Sequence, residues 1–275
     1  MGQADYSERR PCRERIFLIL RIAGMELENL LLKKAVWILN AAYVMLLFVI
    51  CRSDDLRQGY FSITESVPVT LINFVAPVFL AMILICASAP AFAGDREQNV
   101  DQIPAACLAG RRGRSIAKLL AAVFFSVLVC MLIGGMSAAV SGSCHLFDSS
   151  LQIRYVGAKE LVPVWTAWQH FIFSLLCLTI AGVILTLFIL FVSCNVKTMI
   201  NAVSIPGFFV VFEFLVHRFS FPAVIREYNI WVFFEPCCFF LMEILNFSPL
   251  MNLLILWILF MPLCVLAVWR IIRRG

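Results

Sequence analysis

Long apolar runs separated by shorter polar stretches set the rhythm of this chain. Six of them are long enough to cross hydrocarbon as helices, at approximately 35–51, 68–92, 116–140, 167–192, 198–216 and 248–269. A helix rises about 1.5 Å per residue, so a bilayer core of about 30 Å takes about 20 residues. Backbone polar groups in lipid must bond within their own segment, which predicts transmembrane helices rather than open strands. Ahead of the first run, 13-RERIFLILRIAGMELENLLLKKAVW-37 carries a different pattern. Ile16, Leu20, Ala23, Leu27, Leu30 and Leu31 recur at helical spacing, with Arg13, Arg21, Glu28 and Lys34 mostly off that stripe. This predicts an amphipathic helix lying in the membrane interface within a leader of residues 1–34, with a plain juxtamembrane anchor as the simpler alternative.

The stretch 217-HRFSFPAVIREYNIWVFFEPCCFFLMEILNF-247 is apolar and aromatic, but Pro222, Asn229 and Pro236 interrupt it. It predicts short re-entrant-like outer helices packed against the spans before the last of them, not a seventh crossing. The expected fold is therefore an all-α integral membrane protein: leader 1–34, then a six-helix transmembrane domain, 35–275, with a charged loop at 93–115.

Composition agrees with the pattern. At 62% hydrophobic and 14% charged residues, with a mean hydropathy of +0.94, 275 residues hold more apolar surface than a soluble domain could bury. With both termini inside, 16 of the 22 Lys and Arg residues fall on the inner side and six on the outer, which sets the orientation by the positive-inside rule. The net charge of +5 follows from that bias and calls for no nucleic-acid partner. The charged leader lacks a short basic region followed by a cleavage site, so the first span is expected to target the chain.

Candidate chemistry is mostly excluded. The chain has no G-x-x-x-x-G-K-[ST] to cradle a nucleotide and no H-E-x-x-H, and His145, His170 and His217 lack metal-ligand spacing. Its 11 cysteines contain no C-x-x-C; those in spans behave as small apolar residues, while a bridge from Cys144 to Cys237 or Cys238 stays open. No catalytic residue, metal or cofactor is therefore expected on this chain. Glu213 lies about 15 residues, or about 22 Å, into the fifth span. It either lines a polar translocation path or sits near the outer interface paired with His217, one turn on.

The densest charge is in 92-FAGDREQNVDQIPAACLAGRRGRSIAKLL-120. An amphipathic leader with an acidic residue (Glu26 or Glu28), a second span followed by Glu97, a short helix, a basic knot at Arg111 and Arg112, and Lys118 leading into the third span together resemble the permease subunits of ABC-2 type transporters. The resemblance implies a coupling helix at about Asp95 to Gly110 that docks on a separate ABC ATPase subunit. Glu97, Asp101 and Gln102 would be its contacts, with Arg111 and Lys118 near the membrane boundary. ATP and Mg would be bound by that partner. A proline usually precedes the basic residue in this family; here Pro104 comes earlier and 110-GRRGR-114 stands in its place. A second permease subunit, identical or different, a multi-pass location in a bacterial plasma membrane with cytoplasmic termini, and export by alternating access are further implications. The rival readings are a stand-alone ion-coupled carrier or channel and, behind it, an intramembrane enzyme; the spans show neither an internal repeat nor converging polar groups.

Overall fold

A computed structural model describes residues 12–52, 75–98, 110–140, 152–153, 165–218 and 249–274. These form eight helices, α1 (Cys12–Leu31), α2 (Lys34–Arg52), α3 (Ala76–Ser88), α4 (Pro90–Glu97), α5 (Gly110–Val140), α6 (Ala167–Asn195), α7 (Met199–Arg218) and α8 (Pro249–Arg274). A two-residue antiparallel pair, β1 (Gln152–Ile153) with β2 (Trp165–Thr166), precedes α6. The expected outer segment at 219–247, with Cys237 and Cys238, lies outside the described residues, as do Cys144 and loop residues 99–109.

Four helical stretches are long and apolar enough to cross a membrane: Ala76–Glu97, Arg112–Ala139, Phe171–Asn195 and Met199–Val216. They coincide with expected spans two to five. The first expected span is α2, which joins α1 at a bend of 54°; the bent pair counts as a fifth candidate. The sixth coincides with α8, which is helical along its whole length but has several side chains outside the described set. The chain is thus a helical protein with the apolar segments of a membrane protein.

The core lies where α3, α5 and α6 meet, around Leu80, Leu84, Phe125, Cys177 and Leu185, with Tyr43 and Leu47 of α2 closing one side. Close approach there depends on glycine. A Cβ on Gly182 of α6 would stand 2.9 Å from Ser126 Oγ and 3.1 Å from Cys130 Sγ on α5, and one on Gly134 of α5 would stand 2.7 Å from Leu175 Cδ1. Both glycines serve packing inside one chain, while the adjacent Gly135 faces open space. Tyr43 Oη and Ser137 Oγ hydrogen-bond at 2.6 Å, tying α2 to α5. An apolar surround raises the strength of such a bond.

Three expectations shift. The amphipathic stripe of α1 is covered only in its second half: Leu27 and Leu31 are half-buried and Leu30 is buried, with α1 packed along α5, whereas Ile16 and Leu20 are exposed. The charged loop is shorter than 93–115, because α4 continues to Glu97 and α5 starts at Gly110, whose φ of 65° suits a residue without Cβ. Arg112, Arg114 and Lys118 therefore ride on the first turns of a helix of 31 residues, about 46 Å long, which outruns a bilayer core. Finally, the second span runs past its expected end at residue 92 to Glu97, with Pro90 inside it and Pro77 in the first turn of α3, where no N–H is needed.

Gly182→Val is expected to destabilise the detergent-solubilised chain by about 1–3 kcal/mol through overpacking. Gly135→Ala should be neutral or stabilising by up to about 1 kcal/mol. Thermal unfolding followed by circular dichroism distinguishes the two; equal effects would contradict the packing described.

Candidate functional site

A cluster of polar and charged side chains is built around Pro90, where α3 passes into α4. Pro90 carries no amide hydrogen, so the carbonyl of Cys86 loses its helical donor, while Ala89 keeps helical angles (φ −58°, ψ −38°) and α3 and α4 run on as one apolar stretch. Side chains from three other parts of the chain reach in. Lys33, at the turn between α1 and α2, donates through Nζ to Ala87 O at 2.5 Å. Ser193 of α6 donates to Ala89 O at 2.7 Å and accepts from the amides of Phe92 and Ala93, both at 3.1 Å. Lys118 of α5 donates to Ala91 O.

Around Pro90 the charges of the α4 end are paired inward. Asp95 Oδ2 accepts from Lys118 Nζ at 2.6 Å and lies 3.2 Å from Arg114 Nη2, and Arg114 Nε in turn lies 3.9 Å from Glu26 Oε1 of α1. Lys118 is 5% exposed, and its ammonium stands 5.1 Å from the centre of the Phe92 ring. Arg96 donates to the carbonyls of Cys194 at 2.5 Å and Val196 at 2.9 Å, neutralising the C-terminal end of α6. Glu97 Oε2 accepts from the amide of Met199 at 2.9 Å, the first residue of α7, and Thr198 Oγ1 accepts from Asn201 N at 3.4 Å. Both bonds satisfy amides that a helix leaves open at its N-terminus. Three consecutive residues, Asp95, Arg96 and Glu97, thus hold α5, the end of α6 and the start of α7.

Lys33 is half-buried, and burial pulls its pKa below the ordinary lysine value of 10.5; Lys118 works in the same direction, while Glu26 and Cys86 oppose the shift. A lysine whose folded pKa is lowered binds fewer protons folded than unfolded. Its contribution to stability therefore grows as pH rises from the lowered pKa towards 10.5.

Of the residues singled out from the sequence, the structure brings Glu97 and Lys118 into one region. Glu97 is exposed apart from its bond to Met199, whereas Lys118 is buried within the cluster rather than standing at a surface. Arg111 belongs to the first turn of α5, but its side chain, like Asp101 and Gln102 altogether, lies outside the described residues. Glu213 is half-buried in α7, away from the cluster in sequence, and is not without an interaction partner. Sequence reasoning missed Lys33, Ser193 and Thr198. Only Thr198 carries a local signal, a threonine just before an apolar helix. No group of three His, Cys, Asp or Glu among the described residues is arranged to hold a metal. The chain matches no family model and no curated protein.

Lys118→Met is expected to cost about 1–3 kcal/mol, less than for a fully buried pair because Asp95 is 27% exposed. Glu97→Ala should cost about 1 kcal/mol and Glu97→Gln less, since an amide oxygen still accepts from Met199. Urea unfolding of the detergent-solubilised chain measures both; a harmless Lys118→Met would refute the anchoring role. Lys33→Met should flatten the alkaline rise in stability, which a pH series of thermal midpoints reads directly.

Proposed function

We propose that this chain is the membrane-spanning permease subunit of an ABC-2 type transporter, acting as an exporter coupled to a separate ATPase. The observation that carries the reading is the clasp at Asp95–Glu97. The segment following the second apolar helix is bonded to α5, α6 and α7 at once. A push delivered beside it, on residues 98–109, would reach three spans through the side-chain bonds of Asp95, Arg96 and Glu97. Such a junction is what a passive permease needs if the energy arrives from another protein. The sequence carries no nucleotide-cradling motif, and among the described residues no three His, Cys, Asp or Glu are grouped to hold a metal.

In this mechanism ATP and Mg are bound by the partner, and closure of its two ATPase subunits moves the coupling segments of two permease chains. The helices carried by each clasp then shift together, opening a path between the permeases outwards. The face for the second permease is best sought on α7, since only 17% of its apolar stretch is buried within the chain, against 67% of Ala76–Glu97. Ile200, Phe208 and Val211 are among its exposed residues. Glu213, on the same helix, is the candidate for the translocation path.

The chain is expected to co-purify with a P-loop ATPase from its native membrane. Alanine at Glu97, Asp101 and Gln102 together should uncouple hydrolysis from transport while membrane insertion, read by protease accessibility, stays intact. Glu97→Gln is the companion control, keeping the bond to Met199 and losing only the charge. Transport by the purified chain alone, driven by an ion gradient and indifferent to ATP, would replace this reading with that of a carrier. Normal coupled transport by the triple variant would remove the docking assignment.

A further inference from the structure

The helix α8 ends on charge of one sign. It holds no Asp or Glu along its 26 residues, while Arg270, Arg273 and Arg274 all fall in its last turns. One side of that end is closed, with Ala267 8% exposed and Ile271, one turn on, fully buried. The opposite side is open: Trp269 is 48% exposed, and the Arg273 guanidinium stands 4.1 Å from the centre of its ring. Arg270 lies between the two sides and is half-buried. Among the described residues its guanidinium makes no hydrogen bond or ion pair, and Arg273 meets only the Trp269 ring. The carboxylates of the Pro90 cluster are taken elsewhere, Glu26 by Arg114, Asp95 by Arg114 and Lys118, and Glu97 by the Met199 amide. A guanidinium presents five N–H donors in a fork that fits two oxygens of one phosphate, and half-burial of Arg270 removes part of the water that would otherwise meet them.

The length of α8 sets the level of these groups. From Pro249 to Val268 it runs through about 20 residues, or about 30 Å, which is the thickness of a bilayer core. As the last span it brings Trp269 to the headgroup level, where tryptophan is favoured, and the arginines into the phosphate layer beside it. Orientation by the positive-inside rule counts charge alone and asks for neither a guanidinium fork nor an aromatic ring stacked on it.

We propose that Trp269, Arg270 and Arg273 form a site for the phosphate of an anionic phospholipid. Arg270 and Arg273 share its oxygens, and the indole ring holds Arg273 in place. A choline headgroup brings its own ammonium and meets two further cations here, so a lipid of net negative charge is preferred. The bound lipid fastens the end of α8 to the membrane surface. The site rests on α8 crossing the membrane and not on the transport reading.

The test uses the full purified chain in neutral detergent, incubated with phosphatidylglycerol, with phosphatidylcholine of the same acyl chains, or with sodium phosphate against sodium chloride at equal ionic strength. Retained lipid is counted by native mass spectrometry and stabilisation by thermal midpoint, with folding of each variant checked by circular dichroism. Phosphatidylglycerol is expected to be retained and to raise the midpoint, and phosphatidylcholine to do neither. Arg270→Gln with Arg273→Gln should lower retention about tenfold. The double lysine variant, which keeps the charge and loses the fork, and Trp269→Leu should each lower it about threefold. Lys197→Gln, which removes an exposed cation elsewhere, should change nothing. Equal retention of both lipids, wild-type retention by the folded double glutamine variant, or an equal loss with Lys197→Gln overturns the proposal. A midpoint shift from sodium phosphate without retention of phosphatidylglycerol overturns the lipid as the carrier.

Discussion

A proline inside a helix of an apolar protein removes one backbone donor, and the polar backbone around it is met by side chains from elsewhere in the chain. Pro90 does this between α3 and α4, and polar side chains gather on the backbone to either side of it. Two lysines and a serine from the α1–α2 turn, α5 and α6 close the carbonyls of Ala87, Ala89 and Ala91. Water does this in a soluble protein at little cost. Here the donors are fixed side chains, so these bonds also fix where three other parts of the chain stand relative to Pro90.

The same economy explains why charge is concentrated in a chain that otherwise avoids it. Lys118 is placed among apolar residues at the head of α5, which is tolerable only because Asp95, the Ala91 carbonyl and the Phe92 ring surround its ammonium. Arg96 and Glu97 meet opposite ends of the α6–α7 connection, the positive group at the helix C-terminus and the negative one at the helix N-terminus, as the helix dipoles require. Neighbouring charges of alternating sign therefore do not compete. Each is matched to a different helix end, and the three-residue turn Val196–Thr198 is held from outside as well as by its own backbone.

The spans were legible in the sequence because bilayer thickness dictates their length, and their positions need only local hydrophobicity; α5, α6 and α7 fall within a few residues of the expected limits, apart from the earlier start of α5. The amphipathic leader was legible as a helix, but the covering of its second half by α5 depends on tertiary packing that periodicity does not encode. The site was read less well. Lys118 looked like a residue of the membrane boundary, yet its partner Asp95 is 23 residues away, and Arg96 meets a carbonyl 98 residues away. Pairings at such separations leave no pattern in a single sequence. Pro90 was passed over because it lies in an apolar run that reads as one continuous span, and only the tertiary bonds of Ser193 mark the backbone beside it as a meeting point. Glu97 was noticed for its charge, while its bond to Met199 depends on a chain reversal no local rule predicts.

Ser193 also gives the protein a timetable. The carbonyl it closes belongs to Ala89, made 104 residues earlier. At about 5–20 residues per second, on the order of 5–20 s separate the synthesis of that carbonyl from that of the hydroxyl bonded to it. The amino-terminal half of the bundle therefore gains its bonds to α6 and α7 only after those helices have been made.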